Sequence, residues 1–221
     1  MISLACAGGA IKEALPVSCV VLMSLYKMLA GSRCSELRQF GLETELLIKN
    51  NDPQLLQHST PAMESYFNRP SGTLPRQNGF YAATLLLMLV LDFVLNLLAL
   101  LNLLPDFSPA LKALSFFTPA FVFSAVTLTG SYLLSRGKTS GLTCLFMLYS
   151  LLGLANVIHL VIYLIKVDAV HVVMMITGTG CMFACRQIFN SAGFITFVLF
   201  CRSQRVATFA RHMRMNSRNQ S

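Results

Sequence analysis

Charge is what this chain has least of. Asp, Glu, Lys and Arg make up 12% of its 221 residues, about half of the roughly 25% usual in soluble domains. Between residues 80 and 111 the only charged side chains are Asp92 and Asp106. A chain of this length has too little interior to hide so much apolar sequence from water, because the buried fraction is limited by surface-to-volume scaling. A soluble enzyme, a nucleic-acid-binding domain and a disordered tail are therefore excluded as readings of the whole chain. Zinc-type CxxC pairs, HExxH, GxSxG and any Cys/His ligand set are also missing. Gly137-Lys138-Thr139 ends like a phosphate loop, but Tyr132 stands where the motif requires glycine. The expectation is a non-enzyme with no catalytic residues, no metal and no cofactor. The cysteines, five of them in apolar stretches, read as small apolar side chains and not as a disulfide framework.

What the chain has is apolar sequence: 55% of residues belong to the AVILMFWYC set, and the mean hydropathy is +0.63. Four stretches are long enough, at 1.5 Å rise per residue, to cross a hydrocarbon core of ~30 Å. They run over 80–104, 113–135, 141–165 and 169–201. The last is longer than one span needs and predicts one long helix that tilts, kinks at Gly178/Gly180 or extends beyond the hydrocarbon. A shorter stretch, 14–30, contains Lys27 and is a candidate first transmembrane or interfacial helix. Alternating strand patterning is absent, so the fold class is all-α: a polytopic transmembrane helical bundle with four spans and one candidate fifth.

The chain divides into residues 1–31 with the candidate first helix, a cytosolic loop over 32–79, a four-helix core over 80–201 and a basic amphipathic tail over 202–221. Within the loop, Leu37, Phe40, Thr44, Leu47 and Ile48 recur at helical spacing. That predicts a short helix ending at Asn50-Asn51-Asp52-Pro53, followed by a proline-containing flexible loop. Twelve of the seventeen Lys and Arg fall in 31–79, in the turn 136–140 and in the tail. The positive-inside rule places all three, and the carboxyl terminus, in the cytosol of an integral multi-pass protein. In the tail, Val206, Phe209, Ala210 and Met213 share a helical face beside Arg211, Arg214 and Arg218. This predicts an interfacial helix on anionic lipid head groups.

Polar groups inside spans carry the functional reading, since placing a charge there costs at least ~2.5 kcal/mol. Asp92 and Asn96 lie one turn apart on one face, as do Asn156 and His159. Arg186 and Asn190 form a third pair. Asp92 reads either as a buried proton or cation site or as a hydrogen-bonded helix contact. As the acid deepest in another span, it is the expected partner of Arg186.

The segment Asn190-Ser191-Ala192, then Gly193-Phe194 and Phe197, and the basic stretch Arg202–Phe209 resemble the seventh helix and the following interfacial helix of rhodopsin-like G-protein-coupled receptors. Phe197 stands at the tyrosine position and Gly193-Phe194 at the Asn-Pro position of NPxxY. Pro119 stands where that family's fifth helix carries a proline. The resemblance covers the carboxyl-terminal part of the chain. It implies a divergent or truncated receptor that signals through a helix-bundle cavity lined by Asp92, Asn96, Asn156 and His159, with a G protein or another membrane protein as partner. A second resemblance is to the amino-terminal five-helix domain of multidrug-resistance-type ABC transporters, in the span count and in Arg136-x-Lys138-x-Ser140-Gly141. It implies a transporter-accessory domain. A structural or adaptor tetraspan needs no motif.

Overall fold

The structure is a computed structural model that describes residues 31–68, 79–104 and 108–219. The candidate helix at 14–30, residues 69–78 of the proline-containing loop and Pro105-Asp106-Phe107 lie outside these residues. The described chain is helical and contains no strand. Its helices are α1 (Ser32–Lys49), a 3-10 helix (Pro53–His58), α2 (Pro61–Phe67), α3 (Phe80–Asn102), α4 (Pro109–Ser135), α5 (Thr139–Lys166), α6 (Ala169–Phe189) and α7 (Ala192–Asn219).

Helices α3 to α6 are each long and apolar enough to cross a membrane, and no more than a third of each apolar stretch is buried in the protein. The outward leucines, valines and phenylalanines, such as Leu87, Phe121, Leu154 and Ile176, would be intolerable in water and are the ordinary lateral surface of a bundle in lipid. This is an integral multi-pass membrane protein. Packing follows chain order only in part: α4 packs chiefly on its neighbour α5, whereas α3 packs chiefly on the distant α6. The α4–α5 seam closes where Gly141 meets the backbone of Leu134 and Gly130, the close approach that small residues allow between membrane helices. Stacked Phe93 and Phe123, 4.1 Å between centroids, join α3 to α4.

The expected single helix over 169–201 is instead two helices. Glycines 178 and 180 stay within regular α6, and the break falls at Asn190-Ser191. Asn190 caps α6 with Nδ2 donating to the Arg186 carbonyl at 2.8 Å. Ser191 Oγ accepts the Phe194 N–H at 3.2 Å, so two adjacent cap-forming residues end one helix and start the next. Beyond the break α7 lies across one end of the bundle. Gly193 abuts the Tyr81 ring at the start of α3, Gly79 faces Phe197, and Gly137 in the α4–α5 turn abuts the backbone of Cys201 and Arg202. The apolar first half of α7 thus closes the core, with Phe194 and Val198 buried among Leu85, Leu89, Tyr149 and Phe189.

The predicted helix after Gly31 forms, with Leu37, Thr44 and Ile48 buried. The loop expected after it is partly helical: Asp52 caps the 3-10 turn through the Gln54 N–H, and Thr60 caps α2 through the Met63 N–H. A cap followed by Pro53 or Pro61 at the first helical position is a start signal, not a loop signal. The face of the tail expected on lipid is also partly taken up inside the protein. Val206 packs with Ile48 and Leu55, and Ala210 is fully buried. Arg214 pairs with Glu64 at 3.0 Å and donates to the Ser59 carbonyl, while Arg211 donates to Asn68.

Two residues tie this layer to the bundle. Arg202, 3% exposed, donates to the Leu37 carbonyl of α1 at 2.8 Å and to Thr139 Oγ1 of α5 at 3.4 Å. Burial pushes its guanidinium down to about 10, against the pull of the Glu45 carboxylate, so it keeps its charge at neutral pH. Glu45 accepts the Thr139 N–H at 2.5 Å and pairs with Arg205 at 3.2 Å. A carboxylate from α1 thereby satisfies an orphan donor at the start of α5.

Candidate functional site

The bundle interior holds a polar seam between α3 and α5. Asp92, Asn96 and Asn102 project from α3, and Asn156, His159 and Tyr163 answer from α5. The α5 set follows three- and four-residue steps, as does the α3 set once Ala99, whose carbonyl takes part, is included, so each stays on one helix face. Asn156 Nδ2 donates to Asp92 Oδ1 at 2.6 Å. One turn on, His159 Nδ1 meets Asn96 Oδ1 at 3.0 Å, and Asn96 Nδ2 donates back to the Asp92 carbonyl at 2.9 Å. A further turn on, Tyr163 Oη donates to the Ala99 carbonyl at 2.7 Å and accepts from Asn102 at 3.4 Å. The Tyr163 ring stacks on His171 at 4.7 Å, and His171 Nδ1 lies 2.7 Å from Asp168 Oδ2. The seam therefore runs from mid-span to the end of the bundle opposite α7.

At its inner end the seam is closed off. Asp92 is 0%, Asn156 2%, Asn96 6% and His159 9% exposed. Gly178 of α6 makes the lid: a Cβ there would lie 2.7 Å from Asn156 Oδ1 and 2.8 Å from Asp92 Oδ1. Two acceptors at this point, Asp92 Oδ2 and Asn156 Oδ1, are buried without a hydrogen-bond partner among the described residues. Leaving a buried polar atom unpaired costs about 1–3 kcal/mol, and more if it is charged. The centre is short of a donor, and a proton, a water or a small cation would supply what the side chains do not.

Four of the expected interior residues, Asp92, Asn96, Asn156 and His159, are thus brought together. They form a packed seam and not the lining of an open cavity. Asn156 alone of the four borders a groove, of about 410 Å³, on the flank between α5 and α6 with Tyr149, Ser150, Gly153 and Met182.

Arg186 is not part of this centre. Because the chain breaks after Phe189, Arg186 sits in the last turn of α6 and not in mid-span, with an exposed side chain. It has no ion pair with Asp92, whose side-chain partner is Asn156. A cation at a helix carboxyl end is favoured by the helix dipole and reaches the polar boundary without crossing lipid. Asn190 serves the helix end, with Gly31, φ +91°, packed against its side chain. Ser191 and Gly193 shape the turn into α7, Phe194 is buried, and Phe197 is half-buried against the core.

Reading the sequence missed Asn102, Tyr163, Asp168 and His171, the outer part of the seam. Tyr163 is one turn beyond His159, and that spacing was the available signal. Gly178 was read as a helix kink, not for the room it leaves two polar side chains. Gly180, the other expected kink residue, faces open space among the described residues. No family model, curated protein or solved structure matches the chain.

Proposed function

We propose that the protein is a receptor-like membrane protein whose signal is the occupancy of the Asp92–Asn156 centre by a proton or a small monovalent cation. The carrying observation is the pair of buried, unpartnered oxygens at the blind end of a polar seam. A carboxylate ionised there without a counter-charge would be an isolated charge in a low-dielectric interior, which a protein avoids by pairing or neutralising it. The seam offers a route: Asp168 and His171 at the far end, then Tyr163, His159 and Asn96. The basic face, with Arg136, Lys138 and the arginines of α7, lies in the cytosol on charge grounds, so the occupant arrives from the opposite side. Helix α6 supports a coupling between the two ends, because Gly178 closes the centre and Asn190 of the same chain segment holds the start of α1. A G protein or a membrane partner would read the α1–α7 layer.

The groups able to titrate around Asp92 are Cys181 and Cys185 on α6 and Tyr149 and His159 on α5, so a pH response alone does not assign the site. Infrared difference spectroscopy of the reconstituted protein does. The expected result is a carboxylic-acid band that gives way to a carboxylate band on raising pH or monovalent salt, and that Asp92→Asn abolishes while Cys185→Ser keeps it. A spectrum unchanged by Asp92→Asn would reject the proposal and leave a structural tetraspan. Labelling of single cysteines should find residues 138 and 204 on one face, the cytosolic one.

A further inference from the structure

We propose that the groove between the α4–α5 turn and α7 holds the phosphate of an anionic phospholipid. Gly137 takes φ +69° and packs so closely on the Cys201 and Arg202 backbone that a side chain there would collide. That contact seats the turn on α7 and sets Arg136 and Lys138 on either side of it. The resulting groove, of about 570 Å³, is lined by Tyr132, Arg136, Lys138, Gln204, Arg205 and Phe209. Of its three cations, Arg205 has an acid partner, Glu45 at 3.2 Å. Arg136 and Lys138 form no ion pair among the described residues. Arg136 instead leans over the Tyr132 ring, 5.4 Å from its centroid. Arg211 and Arg214, the tail arginines the sequence assigns to head groups, are engaged with Asn68 and Glu64. The free positive charge of the basic end therefore includes this turn.

The surface leading into the groove argues for a lipid over a free anion or an acidic peptide. Phe121, Leu128 and Tyr132 stand 76%, 72% and 58% exposed on α4, and their spacing of seven and four residues puts them in one stripe. Arg136 follows Tyr132 by four more. An acyl chain lying along that stripe ends with its phosphate level with Arg136 and Lys138, and with Tyr132 at the depth where aromatic residues mark the bilayer boundary. Gln204 supplies an amide donor from the other wall. Basic side chains near an anionic surface each strengthen attraction severalfold.

The test uses the full chain, purified in an uncharged detergent and titrated with short-chain phosphatidylglycerol, read by native mass spectrometry. The parallel arms use phosphatidylcholine of the same chain length and inorganic phosphate as competitor. The wild type is expected to prefer phosphatidylglycerol by roughly tenfold. Arg136→Gln with Lys138→Gln should abolish the preference, while Arg218→Gln, on the same basic end, should keep it. If the double variant does not accumulate, Lys138→Gln alone, at an exposed position, is expected to weaken the preference severalfold. A preference that survives these changes overturns the proposal. So does equal loss with Arg218→Gln, which would mean diffuse attraction to a charged surface, and so does displacement by equimolar inorganic phosphate, which would make the groove a free-anion site.

Discussion

Asp92 and Asn156 share one short hydrogen bond and two idle oxygens, so each is expensive without the other. Asn156→Leu removes the only side-chain donor to Asp92 among the described residues and should lower unfolding stability in detergent by about 1–3 kcal/mol. Asp92→Leu together with Asn156→Leu should cost less than Asn156→Leu alone, because replacing a whole buried polar pair avoids stranding a partner. Strict additivity in the four-variant cycle would show that the two are not coupled. Arg186 makes the contrast. Exposed in the last turn of α6, its change to glutamine should stay within about 0.5 kcal/mol of wild type and show no coupling to Asp92. At the far end of the seam, Asp168 accepts the His171 backbone N–H and meets its ring, and these bonds hold its carboxyl below the ordinary carboxylate value. A depressed folded-state value means that the stabilisation is complete above the ordinary carboxylate range. It is lost as pH falls through the folded-state value. Asp168→Ala should therefore flatten the acid side of the stability–pH curve and leave the alkaline side unchanged.

At the scale of elements, the four spans were legible because length and hydropathy alone decide whether a helix can cross lipid. The course of residues 190–213 was not. Hydropathy reports that a segment leaves water, not whether lipid or protein receives it. Phe194 and Val198 are as apolar as a span requires, yet they are buried beneath the bundle end, Val206 packs on α1 and its 3-10 extension, and Ala210 is fully buried. Asn190-Ser191 held the missing information as adjacent cap formers, a signal outweighed by the apolar run around it. Arg202 shows what holds the layer in place. Its planar fork reaches α1 and α5 at once, which the single ammonium of lysine cannot do. Arg202→Ala should loosen the α1–α7 layer by about 1.5–3 kcal/mol, and Arg202→Lys should recover only part of that. Hydrogen exchange in α1 would rise in both variants, whereas equal protection in the three proteins would assign the tie to Glu45 alone.

For the molecule as a whole, the order of the chain and the order of packing disagree. Asp92 reaches the membrane with α3, its donor Asn156 follows 64 residues later on α5, and Gly178 arrives later still. A nascent chain that has released only α3 and α4 therefore holds an acid at mid-bilayer without its donor, at a cost of ~2.5–3.5 kcal/mol on insertion scales. Biogenesis has to retain α3 in the insertion machinery, or tolerate its partial exit, until α5 is made. Chains truncated after residue 135 should integrate poorly in a glycosylation-mapping assay. Asp92→Leu should rescue the truncated chain, and chains extended through residue 166 should no longer need that rescue. The polar pair that specifies the finished bundle is, during synthesis, the reason α3 cannot be released alone.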